Sequence, residues 1–304
     1  MTDIEPDQYD EAADVGASKR RLISVALLPS AATLGNLLCG FLAMMCALLE
    51  MRAAYFEGAS DARHSHLEAW FPTYIAVGAY LVVLAMIFDA LDGRLARITR
   101  HTTEFGAQLD SIADIVSFGV APAILLLSLL LPLAVPAQGE VIVGKLEWRV
   151  GLLGALVYVS CAAIRLARYN AENIEGEGAQ SRFNGLPTPG GAGAMAALLL
   201  LHSDLVRDQA ALFGIELGDA LRCCLGAAAF LLGILMVSGL NYVHVFNEYV
   251  RREHPPIHLV GFVILVAIGF YSPQILLAVL AAGYVLSGVL LQFKTKRRNA
   301  PDKP

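Results

Sequence analysis

Charge is the scarcest commodity in this chain. Of its 304 residues only 16% are Asp, Glu, Lys or Arg, while 57% are hydrophobic; soluble domains run at about 25% charged. A globule of this size cannot enclose that much apolar surface, which excludes a soluble enzyme and turns part of the chain toward lipid. Patterned cysteine is missing too. Cys39, Cys46, Cys161, Cys223 and Cys224 lie within apolar runs, with neither zinc-ligand spacing nor a hydrophilic ectodomain to staple. They read as reduced, small packing residues. No internal repeat stands out, and no polar stretch is longer than about the first 21 residues, so a second, soluble domain is not expected. The N-terminus lacks the basic start of a cleavable signal peptide: Asp3, Glu5, Asp7, Asp10, Glu11 and Asp14 precede the first Lys or Arg. Basic residues are not interleaved with aromatics, so no nucleic acid is expected as a partner; they flank apolar runs, as at a membrane surface.

What the chain has instead is long apolar runs. Crossing a hydrocarbon core takes about 20 apolar residues in a helix, and candidate spans lie at 29–50, 72–93, 108–132, 149–169, 187–203, 221–241, 256–271 and 273–293. Ser272-Pro273 divides the last two, with Pro273 suited to the first turn of a new helix. The fifth span is short and carries Gly190, Gly191 and Gly193, which suits tight packing against a neighbour. The expected fold is all-α, a polytopic membrane helix bundle of about eight transmembrane helices, or six if the last pair does not cross. The expected division is a disordered acidic tail over 1–21, a membrane domain over 22–250, an additional helix pair over 251–293 and a basic tail over 294–304. With both ends on one side, sixteen Lys and Arg flank the spans on that side and six flank them on the other. The excess predicts cytoplasmic termini in a multi-pass protein of the cell membrane.

The informative stretch runs from Phe88 to Gly119, at the end of the second span and the start of the third. Asp89 and Asp92 are three apart; Gly106, Asp110 and Asp114 follow one another at intervals of four. Residues three and four apart share a helix face, so each helix end carries a stripe of carboxylates beside a small residue. The polar residues between Arg97 and Gly106 suffice for a turn that opposes the two stripes. Each charge within a membrane helix costs at least about 2.5–3.5 kcal/mol, and convergent carboxylates repel. A divalent cation of the Mg²⁺ or Mn²⁺ kind prefers such a set of oxygens and commonly sits between carboxylates and substrate phosphates. Gly93, Ala96 and Gly106 leave room for a nucleotide or pyrophosphate against the backbone, and Arg97 offers phosphate a planar fork. The bland alternative is a set of helix-end carboxylates satisfied by neighbouring arginines; four at these spacings point to a metal-phosphate site.

The pattern Asp-x2-Asp-Gly-x2-Ala-Arg-x8-Gly-x3-Asp-x3-Asp resembles the signature of the CDP-alcohol phosphatidyltransferase family and matches it at every defined position. The resemblance implies a membrane enzyme with a six-helix catalytic core, typically a homodimer. Such an enzyme transfers a phosphatidyl or phospho-alcohol group from a CDP-linked donor to an alcohol and releases CMP. It implies two divalent cations held by Asp89, Asp92, Asp110 and Asp114, with Asp114 also the general base. Donor contacts are expected at Gly93, Ala96, Arg97, Thr103 and Gly106, with Thr33 and Asn36 as further candidates. Within the family, the flanks are similar to the bacterial membrane-integral phosphatidylserine synthases. The similarity lies in Val116–Ala123, Arg165–Asn170, Phe183–Pro189, the opening Leu28-Pro29 through Thr33-Leu34, Asn36 and Gly40, and Tyr284–Gly288. Ser30 stands where an Asn is more common.

That likeness implies CDP-diacylglycerol and L-serine as substrates, giving phosphatidylserine. Serine carries a carboxylate, for which Arg165 and Arg168 offer cations, with Asn170 beside them. The aspartate signature does not separate serine from inositol phosphate, glycerol phosphate or choline as acceptor; only the 165–189 block favours serine. A cation-coupled transporter predicts carboxylates near mid-membrane with broken helices, and a prenyltransferase predicts aspartate pairs on separated segments.

Overall fold

The computed structural model describes residues 31–53, 73–99, 104–131, 146–174, 185–207, 211–212, 215–240, 269 and 272–298. The helices are α1 (Ala31–Ala53), α2 (Tyr74–Thr99), α3 (Glu104–Asp114), α4 (Ala121–Leu130), α5 (Leu146–Ile174), α6 (Thr188–Arg207), α7 (Leu217–Val237) and α8 (Pro273–Arg298). A π-helical stretch, Ile115–Val120, joins α3 to α4, so Phe105–Leu130 runs as one span. Two antiparallel two-residue strands, Ala211–Leu212 and Ile215–Glu216, link α6 to α7.

Six of these helical spans are long and apolar enough to cross a membrane, and α8 contributes a shorter apolar stretch, Pro273–Gly288. The protein is a polytopic helical membrane protein. Of the eight candidate spans, the first six are present as helices, and 256–271 lies outside the described residues apart from Gly269. The eighth begins at Pro273, with the Ser272 hydroxyl accepting from the Ile275 N–H at 3.5 Å. At the start of α2, Thr73 Oγ1 accepts from the Ala76 N–H at 3.1 Å and satisfies one orphan donor. Helix α2 continues to Thr99, beyond its apolar run, and so carries both Asp89 and Asp92 in regular helix.

Alanines pack much of the interior beside Phe118, Tyr158 and a set of leucines, and many other large apolar side chains face out. Ala43, Ala47, Ala76, Ala79 and Ala85 are fully buried, whereas Leu38, Phe41, Leu48, Ile87 and Leu156 are exposed. Exposed leucines in that number are expected where lipid is as apolar as leucine and helices associate by close packing. The α5–α7 pair is the tightest case: a Cβ on Gly154 would lie 2.1 Å from the Gly226 carbonyl oxygen, and one on Gly233 2.9 Å from Tyr158 Cα. Helix α6, the glycine-rich span, is the most enclosed of the six. Gly190 receives Tyr284 of α8, Gly191 receives Met236 of α7, and Gly193 receives Met86 of α2. All five cysteines are free; Cys39 and Cys46 are buried as expected of packing residues, while Cys223 and Cys224 lie on the exposed face of α7.

Candidate active site

Asp89 and Asp92 stand near the C-terminal end of α2, and Asp110 and Asp114 close α3. Only residues 100–103 separate the two helices in the chain, so the stripes meet across a short connection. Carboxylate oxygens of Asp89, Asp110 and Asp114 all lie within 4.8 Å of one another. Asp92 is not in that trio. It is 7% exposed and accepts a hydrogen bond from the Thr33 hydroxyl of α1, while its charge adds to the field at Asp110 and Asp114.

The first helix supplies the other partners. Thr33 and Asn36, three apart on one face of α1, are both buried. Asn36 Nδ2 donates to Asp114 Oδ1 at 3.0 Å. The sequence suggested these two side chains for donor binding; in the fold each holds an aspartate. Ser117, one turn past Asp114 in the π-helical stretch, donates to the Asn36 carbonyl at 2.9 Å. π-Helical turns recur at functional sites, and this one follows directly on Asp114. Tyr158 of α5 anchors its far side, donating to the Phe118 carbonyl at 2.8 Å.

The remaining candidates fall in several places. Gly93 is exposed and Gly106 half-buried, flanking the acidic trio along their helices. Ala96 and Arg97 lie on the last turns of α2, and their side chains are outside the described residues, as is Thr103 altogether. Asn170 of α5 donates to Ser111 Oγ at 2.8 Å, which ties the end of α5 to α3 beside Asp110. Arg165 is half-buried and donates through Nη1 to the Met236 carbonyl at 3.1 Å, at the end of α7. The loop entering α6 docks at the same place: Gly185 N–H donates to the Leu240 carbonyl at 2.7 Å and Leu186 N–H to that of Leu235 at 2.9 Å. Gly185 adopts φ +103°, where a Cβ would meet the Met236 carbonyl oxygen at 2.4 Å. Arg168 is exposed. Ser111 and Ser117 were not among the sequence candidates for the site; the signal available for Ser117 was a hydroxyl within an otherwise apolar run.

The donor set decides what this arrangement can hold. Three hard carboxylate oxygens within 4.8 Å are close to the spacing of ligands around one small divalent cation, up to about 4.2 Å across an octahedron. Two carboxylates 4 Å apart repel by about 4 kcal/mol even at an effective dielectric of 20. The two hydrogen bonds that reach the aspartates from α1 come from neutral groups, a hydroxyl and an amide. These residues therefore fit a divalent cation.

Residues 26–237 match the CDP-alcohol phosphatidyltransferase family over most of the chain. The chain belongs to the CDP-alcohol phosphatidyltransferase family. The matched region holds α1 to α7 and all four aspartates, and it ends at Val237, so α8 lies outside it. Among relatives, a CDP-diacylglycerol–serine O-phosphatidyltransferase of Methanocaldococcus jannaschii is 35% identical over 169 residues, 55% of this chain and 64% of that protein. A protein of the same name from Mycobacterium bovis is 28% identical over 272 residues, covering 88% of this chain and 78% of its own. A third, from Helicobacter pylori strain J99, is 33% identical over 166 residues, 55% of this chain and 60% of the relative. Membership of the phosphatidyltransferase family accounts for an acidic cluster at the end of apolar helices, which a structural bundle has no reason to keep.

Proposed function

We propose that this phosphatidyltransferase acts on CDP-diacylglycerol and L-serine, giving phosphatidylserine and CMP. The observation that carries the reading is the convergence of Asp89, Asp110 and Asp114. The serine identity is supported by the names of the relatives and by the 165–189 block. In the step envisaged, the serine hydroxyl oxygen forms a bond to the phosphorus that bears diacylglycerol. The bond from that phosphorus to the oxygen of the CMP phosphate breaks, and CMP departs with the electron pair. The hydroxyl proton passes to Asp114, which stands at the inner end of the α3 stripe. A serine hydroxyl is a weak nucleophile, so a carboxylate within hydrogen-bond reach lowers the barrier.

Asp89, Asp92, Asp110 and Asp114 would hold two divalent cations, Mg²⁺ or Mn²⁺. Bound there, the cations supply charge stabilisation to the pyrophosphate oxygens and to the departing phosphate. Gly93, Ala96 and Gly106 leave space for the donor, and Arg97 and Thr103 contact its phosphates. Arg168 and Asn170, near the end of α5, take the carboxylate end of serine. Arg165 belongs to the same region through the Gly185 loop. The Lys and Arg count supports the site and both termini on the cytoplasmic side of the cell membrane, and the family resemblance implies a homodimer. The domain division proposed is the membrane domain over 22–250, followed by the C-terminal helix pair and a basic tail.

The deciding experiment incubates the purified protein with CDP-diacylglycerol, labelled serine and a divalent cation, and follows CMP release and lipid labelling. Serine-dependent release is expected. Release with inositol phosphate, glycerol phosphate or choline but not with serine overturns the acceptor assignment and leaves the phosphotransfer.

A further inference from the structure

Resting on the reading of Asp114 as proton acceptor, we propose that Asn36 is the positioning residue that fixes the Asp114 carboxylate, clamped in turn by the π-helical stretch through Ser117. Asn36 is wholly buried in α1, 0% exposed, and its Nδ2 donates to Asp114 Oδ1 at 3.0 Å across 78 residues of chain. A carboxylate only accepts, so chemistry dictates which end of the amide faces it. One oxygen of Asp114 is thereby engaged by α1, and that bond sets the direction in which the other oxygen points.

The amide is itself held. Its backbone carbonyl accepts from Ser117 Oγ at 2.9 Å, and Ser117 is also 0% exposed. One turn further along α1, a Cβ on Gly40 would lie 2.4 Å from Ser117 Oγ and 2.7 Å from Ser117 Cα. The two helices thus touch at backbone distance beside the clamp. One bond runs from α1 to the π-flanking aspartate and one runs back from the π-helical stretch to α1. Together they fix both ends of the Asn36–Asp114 pair.

A residue kept only to fill space would have both ends of its amide paired. Asn36 Oδ1 is buried and has no hydrogen-bond partner among the described residues, a cost that persists at sites where the other end has a task. Without the amide, the Asp114 carboxylate plane is set by a broad, roughly two-fold torsion. Misplacing a reacting group by about 1 Å costs on the order of a hundredfold in rate.

The test uses the full chain in lipid vesicles, with CMP release measured over both substrate concentrations and thermal unfolding followed with and without CDP-diacylglycerol. Asn36→Ala is expected to lower kcat about ten- to a hundredfold, with both KM values within about threefold of wild type. The thermal shift produced by CDP-diacylglycerol should persist. Asn36→Asp keeps the shape but turns a carboxylate toward a carboxylate, and its kcat is expected to fall below that of Asn36→Ala. Three results overturn the proposal: kcat of Asn36→Ala within threefold of wild type, a loss confined to the CDP-diacylglycerol KM and its thermal shift, or an Asn36→Asp protein as active as wild type. If Asn36→Ala does not fold, Asn36→Asp decides alone on the same criteria. A wild-type protein that releases no CMP with any alcohol defeats the activity reading and this proposal together. An active wild type with an undiminished Asn36→Ala defeats only the proposal.

Discussion

Neutralising Asp110 should make the ion-free protein more stable and the ion-loaded protein less so. Asp110 shares its 4.8 Å neighbourhood with Asp89 and Asp114. At that separation and an effective dielectric of 20, each ionised pair repels by about 3.5 kcal/mol. Asp110→Asn removes two of the three pairs, so up to about 7 kcal/mol of repulsion disappears in the fully ionised, ion-free state. Partial protonation of the trio reduces that ceiling, but the sign stands. A cation reverses it. At a hundred times its dissociation constant, a ligand bound only by the folded state contributes about 2.7 kcal/mol. For a chain of this size about 1 kcal/mol moves the midpoint by roughly 2–4 °C, so the wild type should gain about 5–10 °C from Mg²⁺ or Mn²⁺ over chelator. The assay is thermal unfolding of purified protein in micelles, with chelator and with a cation series. Expected are an Asp110→Asn midpoint above wild type in chelator and a response to cation of no more than about 2 °C. A wild-type midpoint indifferent to divalent cations refutes the reasoning, because then the trio does not gather around an ion.

Four further outcomes follow from particular residues. Asp114→Asn should abolish serine-dependent CMP release while CDP-diacylglycerol binding persists, measured by turnover and by donor-induced thermal shift; normal turnover removes Asp114 as the base. Arg168→Ala should raise the serine KM about tenfold, as for a lost charge-assisted contact, and leave the CDP-diacylglycerol KM unchanged; an equal rise in both points to an electrostatic anchor instead. Gly154→Ala places a methyl 2.1 Å from the Gly226 carbonyl oxygen and should destabilise the bundle by about 1–3 kcal/mol. Gly283→Ala in α8, with nothing within 4 Å among the described residues, should leave the unfolding midpoint unchanged or raised.

The acidic site was legible in the sequence because its parts are local. Asp89 through Asp114 fall within one helix end, a short connection and the next helix start, and helical periodicity alone sets two stripes facing. The partners of those aspartates were not legible in the same way. Thr33 and Asn36 sit in an apolar run with no pattern to say what they face; the sequence offered them as further donor contacts, and their bonds to Asp92 and Asp114 came only with the fold. Asp92 keeps its place in the motif, yet its side chain turns to Thr33 while Asp89, Asp110 and Asp114 gather. Arg165 is a similar case. Its position suggested an acceptor cation, and the fold uses at least one of its nitrogens to cap α7 at Met236.

Apolar runs of about twenty residues fix the spans, since a backbone in hydrocarbon has to satisfy its own hydrogen bonds and a helix does so within one segment. The four aspartates and the glycines between them are likewise written in order along the chain, and their spacing sets them on two helix stripes. Tertiary structure alone chose which helix lies against which. It brought Asn36 to Asp114 across 78 residues, set the π-helical turn against Gly40, and seated α7, α2 and α8 on the three glycines of α6. Those choices rest on van der Waals fit and single hydrogen bonds between distant segments, and lipid on every outer face leaves no hydrophobic pattern in the sequence to announce them.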